Sequence, residues 1–385
     1  MKIDFCTIAS ANYLPRVRVL QQSLKTHHPE SRLHVLLCEQ PGDIPALAEE
    51  AGVEFISPDQ VCGDWRSLAF RYGITEFNTA LKPFLLEYLL TNNCDAAIYL
   101  DPDIEVFSSL QSVLTLFDTH DLILTPHVCL PMDVDGQRPG IDETIRAGIY
   151  NLGFIGISGN SEARAALRWW RDVCRDYCYF DANHRYFVDQ FWAAALPAFI
   201  QKFHCLRDPG CNVAYWNISQ RRLTKANDRW LVDGGALRFF HFSGLPEDPR
   251  HVSHHQDRVT AEPGSDLYEL LSSYRTKMLH NSWSTFGSRP YTFGLYSDDT
   301  PIDPIERRAF DALSLDDRSS LGDPFAQPIV LRKLGAHLIG RSRLSLLQKY
   351  FRLLAADGVI VGHRTLLLHL AGRLLGRFNR TRDGT

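Results

Sequence analysis

The chain has 385 residues, of which 45% are apolar and 22% charged, and its formal net charge is -4 at pH 7. This length and composition predict a globular protein with one large domain or two, and the slightly acidic balance excludes a general nucleic-acid binder. The sequence contains no run of about twenty apolar residues, so no transmembrane helix is predicted. The N-terminal residues also lack the long apolar core of a signal peptide.

Cysteine usage and charge distribution narrow the class of protein further. The nine cysteines are scattered and contain no C-x-x-C pair, which favours reduced thiols in a cytoplasmic protein. Residues 331–385 contain eleven Lys or Arg but only Asp357 and Asp383 as acids. Such a segment could lie on an anionic membrane surface as a peripheral attachment. Alternatively, it forms helices that pack on the body of the protein with their arginines in water.

Runs of strand length alternate with helical patterns along the chain. The apolar runs predict strands at 2–8, 32–37, 53–56, 98–100, 121–125, 150–158 and 237–242. Apolar residues three or four positions apart predict helices at 14–27, 44–51, 79–90, 162–177 and 185–195, and further helices within 328–378. The segments 131–148 and 244–300 are predicted as loops. This alternation predicts an α/β fold with a mostly parallel sheet flanked by helices.

Two aspartates follow the predicted strand 98–100 and are separated only by Pro102. Ligands of open α/β sheets bind outside the carboxyl ends of the strands, so Asp101 and Asp103 are placed where a ligand is expected. Carboxylates at this spacing suit a hard divalent cation that shares its other positions with phosphate oxygens. The alternative is an ordinary acidic turn, because Asp-Pro pairs commonly start turns.

A histidine and an acid–amide pair occur further along the chain. His241 ends the predicted strand 237–242 and is either a third metal ligand or a core histidine among aromatic neighbours. The backbone of Gly244 could contact a phosphate. Asp189 and Gln190 interrupt an apolar face, and a buried Asp needs a partner or a role. The pair therefore either lies near a reaction centre or braces a helix.

Four other residues are candidates for substrate contacts. Asn151 could present its amide to sugar hydroxyls, or simply start a strand with a bulge. Lys82 lies early in its helix, where the dipole disfavours a cation, so it pairs with phosphate or carboxylate unless it is an ordinary surface lysine. Asn12 and Tyr13 follow the first strand and either hold a nucleotide base or ribose or only shape a turn.

Taken in order, the segments YLDPDIEVF, YNLGFIGIS, FVDQFW and FFHFSG resemble GT-A-fold glycosyltransferases close to family 8. The opening TIASANYLPRVRVLQQSLKTHHPESRLHVLL is similar to the first βαβ unit of bacterial sugar transferases of this kind. The resemblance implies a GT-A, Rossmann-like catalytic domain over 1–245. A loop-rich extension at 246–327 would complete the acceptor side, and 328–385 would form a basic amphipathic helical tail.

The resemblance also implies roles for particular residues. Asp101, Asp103 and His241 correspond to ligands of Mn²⁺ or Mg²⁺. The donor-sugar and reaction-centre residues would be Asn151, Asp189 and Gln190, and Gly244 would belong to the diphosphate loop. The lysine usual after the His-x-x-Gly segment is replaced here by the run Leu245-Pro246-Glu247. Lys82 is therefore the candidate cation for the diphosphate, and Asn12 and Tyr13 remain candidates for the nucleoside.

The predicted activity is transfer of a sugar from a nucleotide diphosphate sugar, with a UDP-linked donor favoured, to an acceptor hydroxyl. The resemblance implies retention of configuration and a glycan or glycolipid acceptor in bacterial surface polysaccharide synthesis. A sugar-nucleotide pyrophosphorylase is the first alternative, but it needs a Gly-rich basic loop after the first strand, where this chain has Ser10-Ala11-Asn12. The second is a non-catalytic carbohydrate-binding protein, against which the presence of the acidic pair and His241 argues.

Overall fold

The computed structural model describes residues 1–44, 52–92, 94–181 and 186–340. The strands are β1 Ile3–Ala9, β2 Leu33–Leu37, β3 Val53–Ile56, β4 Ala96–Leu100, β5 Ile104–Val106, β6 Leu122–Pro126, β7 Tyr150–Ser158, β8 Phe180–Asp181, β9 Tyr186–Phe187, β10 Phe203–Cys205, β11 Leu223–Ala226, β12 Arg229–Val232, β13 Gly235–Ala236 and β14 Phe239–His241. The α-helices are α1 Leu14–His27, α2 Pro58–Val61, α3 Trp65–Arg71, α4 Ile74–Ala80, α5 Lys82–Asn92, α6 Gln111–Leu114, α7 Ile141–Ala147, α8 Ser161–Tyr177, α9 Val188–Ala193, α10 Leu196–Phe199, α11 Asp266–His280, α12 Trp283–Phe286, α13 Pro304–Asp311 and α14 Leu315–Leu321.

Within the described residues, seven strands form the main sheet in the order β10-β6-β7-β4-β1-β2-β3. Strand β7 runs antiparallel to β4 and β6, while the remaining adjacent pairs are parallel. The predicted α/β fold class, a mostly parallel sheet flanked by helices, is confirmed. Because β7 is antiparallel, its first residues lie at the edge where its neighbours have their carboxyl ends.

One hydrophobic core cluster lies between the sheet and α1. Alternate residues of each strand point to one face, and these meet the apolar stripe of α1. The cluster includes Phe5, Val35, Leu37, Ile98 and Leu100 from strands, with Leu14, Val17, Leu20 and Leu24 from α1. Full burial of each such side chain contributes about 1.5–3 kcal/mol, so this layer holds the strand ends in fixed positions.

A two-stranded sheet extends this core beside β4. Strand β14 pairs antiparallel with β5, which places His241 opposite Ile104. A second apolar cluster covers this pair with side chains of α11, among them Leu270, Leu271 and Tyr274. Residues far apart in sequence are thereby brought to the carboxyl edge of the main sheet.

Several predicted element boundaries were wrong. The segments predicted as loops contain α7 and the 15-residue α11. The predicted helix 79–90 is divided into α4 and α5 around Leu81, because Pro83 fits only the first turn of a new helix. The predicted helix 185–195 starts at Val188, after β9. Most of the predicted helix 44–51 lies outside the described residues.

The chain divides into two compact units, Met1–Ile302 and a second that begins at Asp303. The candidate site described below belongs to the first unit. In the second, residues 328–340 are helical, and the rest of the predicted tail lies outside the described residues. The three-part division at 245 and 327 remains a prediction. None of the described helices is long and apolar enough to cross a membrane.

Candidate active site

A cavity of about 430 Å³ opens at the carboxyl edge of the main sheet, where β1 and β4 end and β7 begins. Ligands of open α/β sheets bind at this edge. Most of the residues predicted from the sequence line the cavity: Asn12, Tyr13, Lys82, Asp101, Asp103, Asn151, Asp189, Gln190 and His241. Gly244 follows the lining residue Ser243 but is not itself among the lining residues.

Asp101, Asp103 and His241 form one cluster at this edge. One ligand atom from each lies within 4.8 Å of the others. His241 Nε2 is 3.0 Å from Asp103 Oδ1 and 3.6 Å from Asp101 Oδ2. The aspartates occupy the turn between β4 and β5, and the β5–β14 pairing brings in the histidine. The strand pairing therefore assembles a set of two carboxylates and one imidazole.

The groups of this cluster perturb one another's protonation. Burial raises the pKa of Asp103, but the adjacent His241 and the more distant Arg16 outweigh it, so the pKa is lowered. Burial disfavours the charged form of His241, yet Asp103 and Asp101 outweigh that effect and its pKa is raised. Asp103 thus keeps its charge in a buried place, where proteins either pair a charge or coordinate it to a metal.

The donor set fits a divalent cation. Carboxylates and a neutral imidazole are ligands for Mn²⁺ and related ions. Asp101 is further oriented by the hydroxyl of Tyr99, which donates to its Oδ1 at 2.7 Å, and its own N–H donates to the Gly153 carbonyl at 2.8 Å. A Cβ on Gly153 would lie 2.4 Å from the His241 ring, so glycine leaves the space that the imidazole occupies.

Lys82 lies in the wall of the cavity as one half of a buried ion pair. Its amine is 2.9 Å from Asp189 Oδ2 and donates to the Leu152 carbonyl at 2.8 Å, while Asp101 Oδ1 is 3.9 Å away. Burial works against the charged amine, but Asp189 and Asp101 outweigh it and the pKa of Lys82 is raised. Lys82 is therefore not a surface lysine, and its charge is already balanced within the protein.

Gln190 and Asn151 belong to a second hydrogen-bonded group. Gln190 Oε1 accepts from the Leu152 N–H at 2.8 Å, and its Nε2 donates to the Ala147 carbonyl at 2.6 Å. Asn151 Nδ2 lies 3.3 Å from His127 Nε2, and its Oδ1 accepts from Asn212 at 3.2 Å. The orientations of both amides are fixed by protein groups before any ligand is present.

Sequence reasoning missed three residues that support this group. His127 and Trp216 line the cavity, and Asn212 contacts Asn151 from behind it. Trp216 packs edge-on against His241 with ring centres 5.1 Å apart. A histidine two residues after the strand predicted at 121–125 could have indicated His127. The other two lie in irregular chain and carry no periodic pattern.

The protonation of His127 should be visible in the pH dependence of stability. Burial lowers the pKa of this histidine to about 4, whereas an unfolded histidine has a pKa of about 6.5. The unfolded state therefore binds the proton first as the pH falls. The contribution of neutral His127 to the free energy of unfolding is complete above about pH 6.5 and is lost as the pH falls toward 4. The loss at pH 5 is about 2 kcal/mol.

We expect His127→Gln to remove this pH-dependent loss. Urea unfolding at pH 7 and pH 5 should show a smaller acid destabilisation for the variant than for wild type, by about 2 kcal/mol. His251→Gln, at an exposed position, is the matched control. Equal acid destabilisation in wild type and His127→Gln would show that His127 does not titrate as described.

The residues predicted to contact the nucleoside lie beside the cluster. Asn12 and Tyr13 form a 3₁₀ turn between β1 and α1 and line the cavity. Burial, together with the nearby Asp103, raises the pKa of the Tyr13 hydroxyl. Gly244 has a φ of +65°, and a Cβ there would lie 2.6 Å from Ser253 Oγ, so only glycine fits this turn.

The chain is similar in sequence to two uncharacterized proteins of Bacillus subtilis (strain 168). YfnD is 26% identical over 248 residues, which cover 63% of this chain and 77% of YfnD. YfnF is 21% identical over 316 residues, which cover 78% of this chain and 92% of YfnF. No family model matches the chain.

Solved structures that resemble the chain include glycosyltransferases. The galactosyltransferase LgtC, in complex with donor and acceptor sugar analogs, has a TM-score of 0.43 and 20% identity, covering 71% of this chain and 99% of LgtC. The bifunctional WbbM has a TM-score of 0.44 and 12% identity, with coverages of 73% and 50%. GlyE of Streptococcus pneumoniae TIGR4 has a TM-score of 0.41 and 14% identity, with coverages of 77% and 66%.

Proposed function

We propose that this protein is a metal-dependent glycosyltransferase that moves a sugar from a nucleotide diphosphate sugar to an acceptor hydroxyl. The observation that carries the proposal is the Asp101–Asp103–His241 cluster, which shares one cavity with the buried Asp189–Gln190 pair. A cation site beside fixed amide and carboxylate groups suits a substrate with a diphosphate at one end and a sugar at the other. A UDP-linked donor is favoured.

Asp101, Asp103 and His241 would hold Mn²⁺ or Mg²⁺. When bound, the cation neutralises charge that develops on the departing diphosphate. The protein's own side chains contribute by holding the groups of the reaction centre in fixed positions. Gln190 cannot rotate freely because the Leu152 N–H and the Ala147 carbonyl hold its amide, and Lys82 holds the Asp189 carboxylate. Groups fixed in advance lower the barrier because they need no reorganisation during reaction.

Asp189, Gln190 and Asn151 are assigned to the donor sugar and the reaction centre. Asn12 and Tyr13, which line the same cavity, are assigned to the nucleoside. Transfer with retention of anomeric configuration is part of the proposal. A glycan or glycolipid of a bacterial surface polysaccharide pathway is the proposed acceptor, with the enzyme in the cytoplasm.

The direct test is a panel of nucleotide sugars incubated with Mn²⁺, Mg²⁺ or EDTA, with release of the nucleoside diphosphate as the readout. We expect release from one donor, faster with an acceptor sugar present and abolished by EDTA. Thermal unfolding of the same mixtures reports binding independently, because a ligand of the native state raises the melting temperature. Pyrophosphate release from a nucleoside triphosphate and a sugar phosphate would instead favour a pyrophosphorylase. Binding of sugar without any release would favour a carbohydrate-binding protein.

Gly153→Ala should distinguish a loss of cation binding from a general loss of folding stability. The added Cβ would lie within 2.5 Å of His241 ring atoms, so the ring must move and the Mn²⁺-dependent rise in melting temperature should disappear. Overpacking of this kind costs about 1–3 kcal/mol. Gly156→Ala on the same strand is the control, because its Cβ would meet Phe117 at 2.9 Å instead. It should lose similar stability but keep the Mn²⁺ response, and loss of the response in both variants would contradict this explanation.

The basic tail is proposed to attach the enzyme to an anionic membrane surface. Lysine and arginine near such a surface contribute about 1 kcal/mol each, so eleven basic residues in 331–385 are sufficient for reversible attachment. Flotation with phosphatidylglycerol vesicles should recover the full chain but not a chain ending at residue 327. Equal flotation of both would exclude attachment through the tail.

A further inference from the structure

Arg16 is a buried cation in the first turn of α1, beside the candidate active site. The residue is 9% exposed. Among the described residues, the structure gives its guanidinium no hydrogen-bond acceptor and no ion-pair partner, and its Nε is buried without a partner. Buried charges and N–H groups are nearly always paired in native proteins. An unpaired guanidinium in this place therefore indicates an anionic ligand.

Two aromatic rings hold the guanidinium in place. Its central carbon lies 4.2 Å from the centre of the Tyr13 ring and 4.5 Å from that of Trp283. Rings that cover the faces of a guanidinium leave its N–H donors in the plane between them. That planar fork matches two oxygens of one phosphate group.

The surroundings of Arg16 connect it to the cation cluster. Tyr13, on which it stacks, lines the same cavity as Asp103. The hydroxyl of Tyr274 is also fully buried without a hydrogen-bond partner, and Arg16 acts on it more strongly than any other charge. The stacking of Arg16 on Tyr13 thus places an unpaired guanidinium beside the cavity that holds the cation cluster.

Asp189 and the Leu152 carbonyl already use two of the three N–H donors of Lys82, whereas no donor of Arg16 has a partner among the described residues. We propose that Arg16 binds a phosphate group of the donor diphosphate, with Tyr13 and Trp283 fixing the orientation of the guanidinium. The inference rests on the proposed function and names Arg16 as the residue that distinguishes a diphosphate from an uncharged nucleoside. Tyr274 is assigned a supporting position behind it.

The test compares Arg16→Met with Arg18→Met, a control variant on the same helix. Arg18 also stacks on an aromatic ring, Phe286 at 4.9 Å, but its guanidinium donates to the Asn281 carbonyl at 3.0 Å. The probes are Mn²⁺ alone, UDP with Mn²⁺, and inorganic pyrophosphate with Mn²⁺, each titrated by calorimetry. Hydrogen bonds to charged groups predict a loss of about 10- to 100-fold in affinity when Arg16 is removed.

We expect Arg16→Met to lower the affinity for UDP and for pyrophosphate by that factor, while Mn²⁺ alone binds as it does to wild type. Arg18→Met should bind all three probes normally. If Arg16→Met proves misfolded and loses Mn²⁺, Arg16→Lys decides: weaker UDP supports the inference and wild-type affinity overturns it. Unchanged UDP affinity in a folded Arg16→Met disproves the role of Arg16 and leaves the proposed function intact. Failure of wild type to bind UDP, other nucleotide sugars or pyrophosphate with Mn²⁺ would reject both.

Discussion

Asp103→Asn is expected to reduce release of the nucleoside diphosphate by about a thousandfold at saturating Mn²⁺. Asparagine keeps the size of the side chain but removes the charge that lies 3.0 Å from His241 Nε2. Loss of one carboxylate ligand removes several kcal/mol of charge stabilisation in the transition state, and about 4 kcal/mol corresponds to a thousandfold in rate. Initial rates with the donor identified by the nucleotide-sugar panel measure the effect.

A second readout separates loss of the cation from loss of catalysis. The variant should show no rise in melting temperature on addition of Mn²⁺, because binding to the native state is the source of that rise. Asp118→Asn, at an exposed position in the same unit, is the control and should retain both rate and Mn²⁺ response. Wild-type turnover in Asp103→Asn would falsify the assignment of this cluster to a catalytic cation.

The arrangement of Asp101 and Asp103 could be predicted because it depends on local sequence. A buried strand that ends in two carboxylates places them at the sheet edge, whatever the rest of the fold does. Asn151 is more instructive. Its position at the same edge depends on β7 running antiparallel, and no property of the segment 150–158 specifies strand direction. His241 likewise reaches Asp103 through the β5–β14 pairing. The sequence alone left it as either a third metal ligand or a core histidine, and the family resemblance favoured the ligand.

One element that was predicted as a loop, helix α11, has a helical pattern in its sequence. Helix α11 has apolar residues at the spacing of one helical face, and Ser265 accepts a hydrogen bond from the Tyr268 N–H as its N-cap. Prolines and histidines on either side obscured this pattern. Val188 is a different case. Its φ of +43° is rare for a β-branched residue, so no propensity could predict the sharp turn that positions Asp189 and Gln190 at the start of α9.

The buried pair of Lys82 and Asp189 depends on tertiary structure alone. Lys82 begins α5, Asp189 lies in the first turn of α9, and both side chains are 2% exposed. Helix positions in sequence do not reveal which helix starts face each other. The sequence indicated that a buried Asp189 needs a partner, and it left Lys82 as either a surface lysine or a cation paired with phosphate or carboxylate. The structure pairs them with each other, so Lys82 orients the acid assigned to the reaction centre.

Breaking this pair should therefore destabilise the protein strongly. Removing one partner of a buried ion pair leaves an uncompensated charge and costs about 3–5 kcal/mol. We expect a loss in this range for Lys82→Met and for Asp189→Asn, measured by urea unfolding at pH 8. Arg146→Met, which removes an exposed i,i+4 partner of Asp142, is the control and should cost about 0.5 kcal/mol or less.

The double variant Lys82→Met/Asp189→Asn distinguishes pairing from separate packing effects. If the two charges compensate each other, the double variant loses less than the sum of the single losses, by about 2 kcal/mol or more. Additive losses would show that the charges do not interact.

The pH dependence of the two single variants gives a second criterion. Burial already raises the pKa of Asp189, and without Lys82 it rises further above the unfolded value of about 3.9. The folded Lys82→Met variant then takes up a proton before the unfolded chain does, so its deficit relative to wild type shrinks as the pH falls from 8 to 5. Asp189→Asn has no such carboxyl, and its deficit should not shrink in that way.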